Sequence, residues 1–407
     1  MNQRKTNMIR RFIYNILSRR HFWRHVGFDE LSELYVSTML RSLSLSLIGI
    51  FVPIYLYKLG YGLSAVFLFM ICMFVSRMFS DILSGFLVAR FGPKHVMLLS
   101  YVMQILSLAQ LLSLPHLQWP MWLVAATYGL ANSLFFIAYH VDFSKIIHAE
   151  HGGKELGYMT ILERIGAAAG PVVGGVVATV FGAEYTIEAA IIVLALAVVP
   201  LFATAEPVRL RQKIGFKGLP LLALWRDYLS FAGFGFSNTI SVAIWPLFIA
   251  VVIFTTNTYA IVGLVTSISI VTAIVSAQLI GQLIDKRRGR DLLRVSAVGG
   301  AVLHLIRLMT MGFGGVTLIG MADQALTSGY KMPYSKGMYD RADSLPGYRI
   351  AYLVVLETIG DSGKVLAWVI VWLASLCLSG TLAMQLCFVA AAASILLIRL
   401  ERFPALK

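Results

Sequence analysis

About a dozen apolar runs of roughly 20 residues follow one another along this chain, and nothing else in the sequence limits its fold so sharply. They fall at about 31–57, 62–88, 95–114, 120–146, 156–181, 185–204, 225–253, 259–284, 292–312, 315–340, 349–378 and 381–400. A bilayer core offers no water to backbone N–H and C=O groups, so each run must pair its own and is helical. Composition agrees: only 13% of residues are charged, where an ordinary soluble chain has about 25%. The sequence predicts an all-α membrane protein of about 12 transmembrane helices.

A formal charge of +14 would suit a nucleic-acid partner if it were spread over one soluble face. Instead it is sorted by connection. Arg4, Lys5, Arg10, Arg11, Arg19, Arg20 and Arg24 precede the first span, and Arg209, Arg211, Lys213 and Lys217 lie between the sixth and seventh. Lys286, Arg287, Arg288, Arg290 and Arg294 lie between the eighth and ninth, while the connections on the other side hold Lys58 alone. Basic loops stay on the cytoplasmic side, which places both termini and the 206–224 linker there, in a cell (inner or plasma) membrane. The basicity is a topology signal, and no nucleic-acid partner is expected. Within 1–30, Ile9, Phe12, Ile13 and Ile16 recur at helical spacing beside arginines, as in a helix lying on the cytoplasmic leaflet. No cleavable signal peptide is visible there. Cys72, Cys377 and Cys387 all fall in spans without pairing or metal spacing, so neither metal nor cofactor is expected.

The two halves repeat at an offset of roughly 195 residues. "IFVPIYLY" around Pro53 matches "AIWPLFIA" around Pro246, and "GFLVARFG" from Gly85 matches "GQLIDKRRG" from Gly281. "LERIG" from Leu162 matches "LETIG" from Leu356. Three matches in one order predict two pseudo-symmetric six-helix bundles, 31–205 and 225–407, joined by the polar 206–224 linker.

Two motifs then give the chain a family resemblance from about residue 31 onward. After the second span stand Gly85, Arg90, Gly92 and Lys94, with Ala89 where the pattern has an acid; the second copy has Gly281 and its acid, Asp285. On the fifth span, "GAAAGPVVGG" supplies Gly166, Gly170, Pro171, Gly174 and Gly175 at every fixed position of an antiporter-type pattern. The chain resembles the major facilitator superfamily. That resemblance implies alternating access between two bundles, a loop latch after the second helix, and a leaning toward export. Two departures count against parts of it: the first-copy latch lacks its acid, and the fourth span lacks the arginine usual in exporters.

Charge inside a span normally faces a protein interior or a wet path. Arg77 and Asp81 share a helix face and are expected to satisfy each other, and Arg307 and Asp323 to pair across the ninth–tenth hairpin. Arg41, His140, Asp142, Glu163 and Arg164 read as a gate network within the first bundle, and His140 is too isolated for a metal. Glu357, Asp361 and Lys364 form one stripe on the eleventh span at the depth of Lys331, and these four are the candidates for proton coupling. Asp361 leads, because Gly360 and Gly363 thin the helix beside it for water or a close neighbour. The resemblance also implies that helices one, four, seven and ten line a cavity. Their candidate wall residues are Arg41, Asn132, Phe136, Tyr139, Asn238, Trp245, Tyr330 and Tyr334.

The leading expectation is a monomeric secondary transporter of a small organic solute, aromatic or amphipathic, working by proton-coupled export. Proton-linked uptake, a lipid flippase and a non-transporting scaffold are the alternatives. An enzyme is not expected: no HExxH, GxSxG or phosphate-cradling loop is present. Fold alone does not choose substrate or direction.

Overall fold

The computed structural model describes residues 28–146, 152–202, 214–284 and 288–406. The predicted surface segment 1–30, apart from its last residues, lies outside them, as do Asp285 and the first part of the linker. Among the described residues the chain runs through twelve helices in up-and-down succession. In the first half these are α1 (28–58), α2 (Leu63–Phe91), α3 (Pro93–Leu117), α4 (Met121–Ile146), α5 (Gly152–Val180) and α6 (Ala183–Val198). The second half has α7 (225–253), α8 (Thr258–Leu283), α9 (Gly289–Ile306), α10 (Gly312–Asp343), α11 (Arg349–Cys377) and α12 (Gly380–Ile395).

Among the described residues, nine of these helices are long and apolar enough to cross a bilayer by composition alone. The other three, α5, α10 and α11, carry Glu163, Arg164, Asp323, Lys331, Glu357, Asp361 and Lys364. Large apolar side chains such as Phe79, Val176, Ile192 and Val275 are exposed around the outside, a surface that suits lipid and not water.

Packing repeats the sequence duplication. Helix α1 lies against α5 and α6, α2 against α4, and α3 against α4 and α6; α7 lies against α11 and α12, α8 against α10, and α9 against α10 and α12. Both first helices of the repeat are interrupted just ahead of their matching prolines. Helix α1 tightens to a 3-10 turn at Gly49–Phe51 before Pro53, and α7 widens to a π turn at Ile240–Ile244 before Pro246. Proline lacks an N–H and its ring collides with the carbonyl four residues back, so the helical ladder must change pitch there.

Two helix pairs make the most extensive contacts between the halves: α5 with α8, and α2 with α11. The α5–α8 seam is built on missing side chains. Gly175 faces the backbone carbonyl of Tyr259, and Gly263 faces that of Pro171, so a Cβ at either would strike backbone that has no room to give. Gly166, Gly170 and Gly174 present the other face of α5 to Met39, Ser46 and Leu47 of α1. The motif therefore lets one helix approach two neighbours closely. After α2, Gly92 turns the chain at φ +89°, a region that side-chain-bearing residues rarely adopt. Gly85 abuts the Val354 side chain of α11.

Candidate functional site

Between the bundles lies a cavity of about 200 Å³, walled by α2, α4 and α5 on one side and α7, α10 and α11 on the other. Its α2–α11 edge is made of charge. Arg77, midway along α2, donates from Nη2 to Glu357 Oε2 at 3.0 Å, and its Nε lies 2.7 Å from Asp361 Oδ2. Lys364 Nζ donates to Asp361 Oδ1 at 2.6 Å. On the other side of Glu357, His140 Nε2 lies 3.1 Å from Oε1, and His140 Nδ1 shares a 2.8 Å hydrogen bond with Tyr339 Oη. The guanidinium of Arg77 also sits over the Phe136 ring, 4.5 Å from its centroid.

The helical spacing of Glu357, Asp361 and Lys364 puts all three on one face, and α2 packs onto that face. The expected Arg77–Asp81 pair is thus corrected. Arg77 turns its guanidinium to the two acids of α11, and Asp81 accepts from Ser133 Oγ at 2.7 Å instead. Two carboxylates presented by an opposing helix hold a forked guanidinium better than one acid on its own helix can. The expected gate network within the first bundle is corrected at His140, whose partners Glu357 and Tyr339 belong to the second half. Arg164 likewise crosses over, donating from Nη1 to Gln324 Oε1 at 2.9 Å. The expected Arg307–Asp323 pair is present at 2.7 Å, with Ser241 bridging both.

Gly360 and Gly363 open no space for water. Gly360 is covered by the Phe231 ring and its carbonyl meets Gly235, while Gly363 faces the carbonyl of Ala232. They bring α11 onto α7, and Asp361 is completely buried behind them, off the cavity wall. Glu357, Lys364 and Lys331 do line the cavity.

Of the wall residues expected from the sequence, Phe136, Tyr139, Asn238 and Tyr334 are in place. Four others are turned elsewhere. Arg41 is stacked on Phe135 at 3.5 Å, and Asn132 donates to Tyr128 O at 2.9 Å. Trp245 is packed between Phe248 and Phe388, and Tyr330 is hydrogen-bonded to Thr327 at 2.9 Å. Helices α4, α7 and α10 line the cavity as expected, but among the described residues α1 contributes no lining residue, and α2, α5 and α11 do. The four side chains off the wall are held by neighbours that helical period alone does not reveal. Sequence reasoning missed Phe231, Phe234, Met338 and Tyr339 as wall residues. Periodicity from Tyr334 reaches Met338, one turn on. Among the described residues no group of His, Cys, Asp and Glu is arranged to hold a metal.

The sequence from residue 22 to 330 matches the model of the Major Facilitator Superfamily. This chain belongs to that superfamily. It is a membrane transporter and not an enzyme, and the superfamily resemblance read from the sequence is borne out. Among solved structures, the human organic anion transporter MFSD10 (TETRAN) superposes with a TM-score of 0.71 at 12% identity, covering 92% of this chain and all (100%) of that one. A bacterial homologue of the iron transporter ferroportin, in its outward-facing state, superposes at 0.65 with 13% identity, covering 92% of this chain and 98% of the other. At such identities the likeness is one of fold. No curated protein gives a significant sequence match.

Proposed function

We propose that the protein is a proton-coupled secondary transporter that exports a small organic solute by alternating access, with its termini and linker in the cytoplasm. One observation carries the reading: the network of Arg77, Glu357, Asp361, Lys364 and His140 spans the seam between the halves and borders the cavity. Rocking one bundle against the other must stretch these contacts. Separating a buried ion pair strands uncompensated charge, at several kcal/mol per ion. A proton taken by the seam removes that penalty, and its release restores the clamp, so proton traffic and bundle motion become one event.

Access selects the carrier. Glu357 reaches the cavity, where a proton can arrive, and it touches His140, whose imidazole is the side chain best suited to exchange one near neutrality. Asp361 is sealed between Arg77 and Lys364 and serves as the fixed counter-ion of the pair. The sequence-based preference for Asp361 therefore passes to Glu357. The antiporter-type glycines of α5 support export over uptake.

The test is a panel of solutes in proteoliposomes carrying a pH-sensitive dye. Solute efflux should draw protons the opposite way and should reverse when the pH gradient is reversed. Glu357→Gln should abolish gradient-driven accumulation while sparing solute exchange, because a neutral amide mimics the protonated acid. Flux indifferent to the gradient would remove proton coupling, and co-directional proton and solute movement would replace export by uptake.

A further inference from the structure

Lys331 stands apart from the ion network around it. Among the described residues its ammonium has no hydrogen bond or ion pair, and its side chain is exposed although it lies well inside α10; what it is exposed to is the cavity. The charged groups bearing on it are Glu163 and Glu357 of one sign, and Arg164 and Lys364 of the other. Glu357 is engaged by Arg77 and His140, and Lys364 by Asp361. Arg164 is held by Gln324, an amide that neutralises nothing. Facing the cavity there remain two cations, Lys331 and Arg164, against one carboxylate, Glu163. One positive charge is left over in a site walled by protein, where field lines concentrate and an anion is drawn in.

The wall beside this charge is aromatic. Phe231 stacks on Tyr334 with ring centroids 5.5 Å apart, and Phe234 lies 5.6 Å from Phe231. Tyr334 follows Lys331 by three residues on α10, so ring and ammonium share a helix face. The cavity's 200 Å³ is below the ~300–1,000 Å³ of drug-sized pockets.

Building on the reading as a solute carrier, we infer that the substrate is a small aromatic monocarboxylate, with its carboxylate on Lys331 and Arg164 and its ring against Phe231, Phe234 and Tyr334. An organic phosphate would bring about two negative charges to one uncompensated positive charge. An amine would meet Lys331 and Arg164 directly.

The experiment is calorimetric titration of the full chain in lipid nanodiscs with 3-phenylpropanoate, its amide, 3-phenylpropylamine and phenylalanine. The carboxylate should bind, and the amide and amine should bind at least about tenfold more weakly, the loss of one charge-assisted hydrogen bond. Lys331→Gln should weaken the carboxylate about 10- to 100-fold with an unchanged unfolding temperature, since it strands no ion-paired acid. Lys331→Arg should keep most of the affinity. Tightest binding of the amine, much tighter binding of phenylalanine (which would give Glu163 the ammonium), wild-type affinity in Lys331→Gln, or no binding by any probe would each overturn the assignment. Proton coupling is judged separately: accumulation that survives Glu357→Gln while the carboxylate still binds removes the coupling and leaves the substrate class, and gradient-driven flux of the amine does the reverse.

Discussion

The two seams between the halves occupy equivalent places in the repeat, yet they are built from opposite materials. Helix α2 corresponds to α8 and α5 to α11, so α2–α11 and α5–α8 are two copies of one contact. "LERIG" and "LETIG" even place Glu163 and Glu357 at matching positions. Glu357 meets Arg77, but the Gly85–Gly281 alignment puts Ala273 where α8 would need that arginine, and Glu163 has no ion pair among the described residues. In place of charge, α5–α8 has Gly175 and Gly263 against bare carbonyls. One seam thus depends on ionisation and the other on shape. A carrier that rocks about two seams needs only one to answer to protons; the other has to let backbones slide at close range.

The largest effect should come from breaking the charged seam at its centre. Arg77→Gln leaves Glu357 with only His140 and Asp361 with only Lys364, and should cost about 3–5 kcal/mol, read as a lower unfolding temperature and lower yield in detergent. Adding Glu357→Gln should recover part of that loss. If Arg77→Gln alone is as stable as the parent, the seam is not held by ion pairing.

Next comes the shape seam. Gly175→Leu should drive a side chain into the Tyr259 carbonyl and arrest exchange between conformations while the protein still inserts, seen as transport below about a tenth of normal at normal yield. Gly170→Leu, which collides with Ser46 inside one bundle, should act on stability, by about 1–3 kcal/mol. Equal consequences for the two would erase the distinction between a sliding seam and an internal packing face.

The smallest effect tests the symmetry itself. Glu163→Gln should change unfolding by no more than about 0.5 kcal/mol, as for a polar substitution away from any ion pair. Its partner Glu357→Gln should abolish proton-driven accumulation. Matching phenotypes would mean that the two glutamates do the same work despite their different surroundings.

Read alone, the sequence determined what depends on spacing along one chain. Span count, the glycines of α5 and the Glu357–Asp361–Lys364 stripe follow from apolar run length and residue spacing within single helices, and the duplication from three ordered matches along the chain. The Arg307–Asp323 pair was legible because a short hairpin fixes which depths meet. Tertiary structure alone decided which helices face each other and at what rotation. Arg77 has an acid one turn away on its own helix, so local spacing pointed to Asp81; only the packing of α11 on α2 offers it two. His140 looked isolated because Glu357 and Tyr339 lie in the other half of the chain. Gly360 and Gly363 read equally as room for water or for a helix until α7 filled the place. Trp245 and Tyr330 lie off the cavity wall, held by Phe388 and Thr327, neighbours that helical period alone does not reveal. Periodicity fixes a residue's place on its helix, and close packing between helices fixes which neighbour it meets.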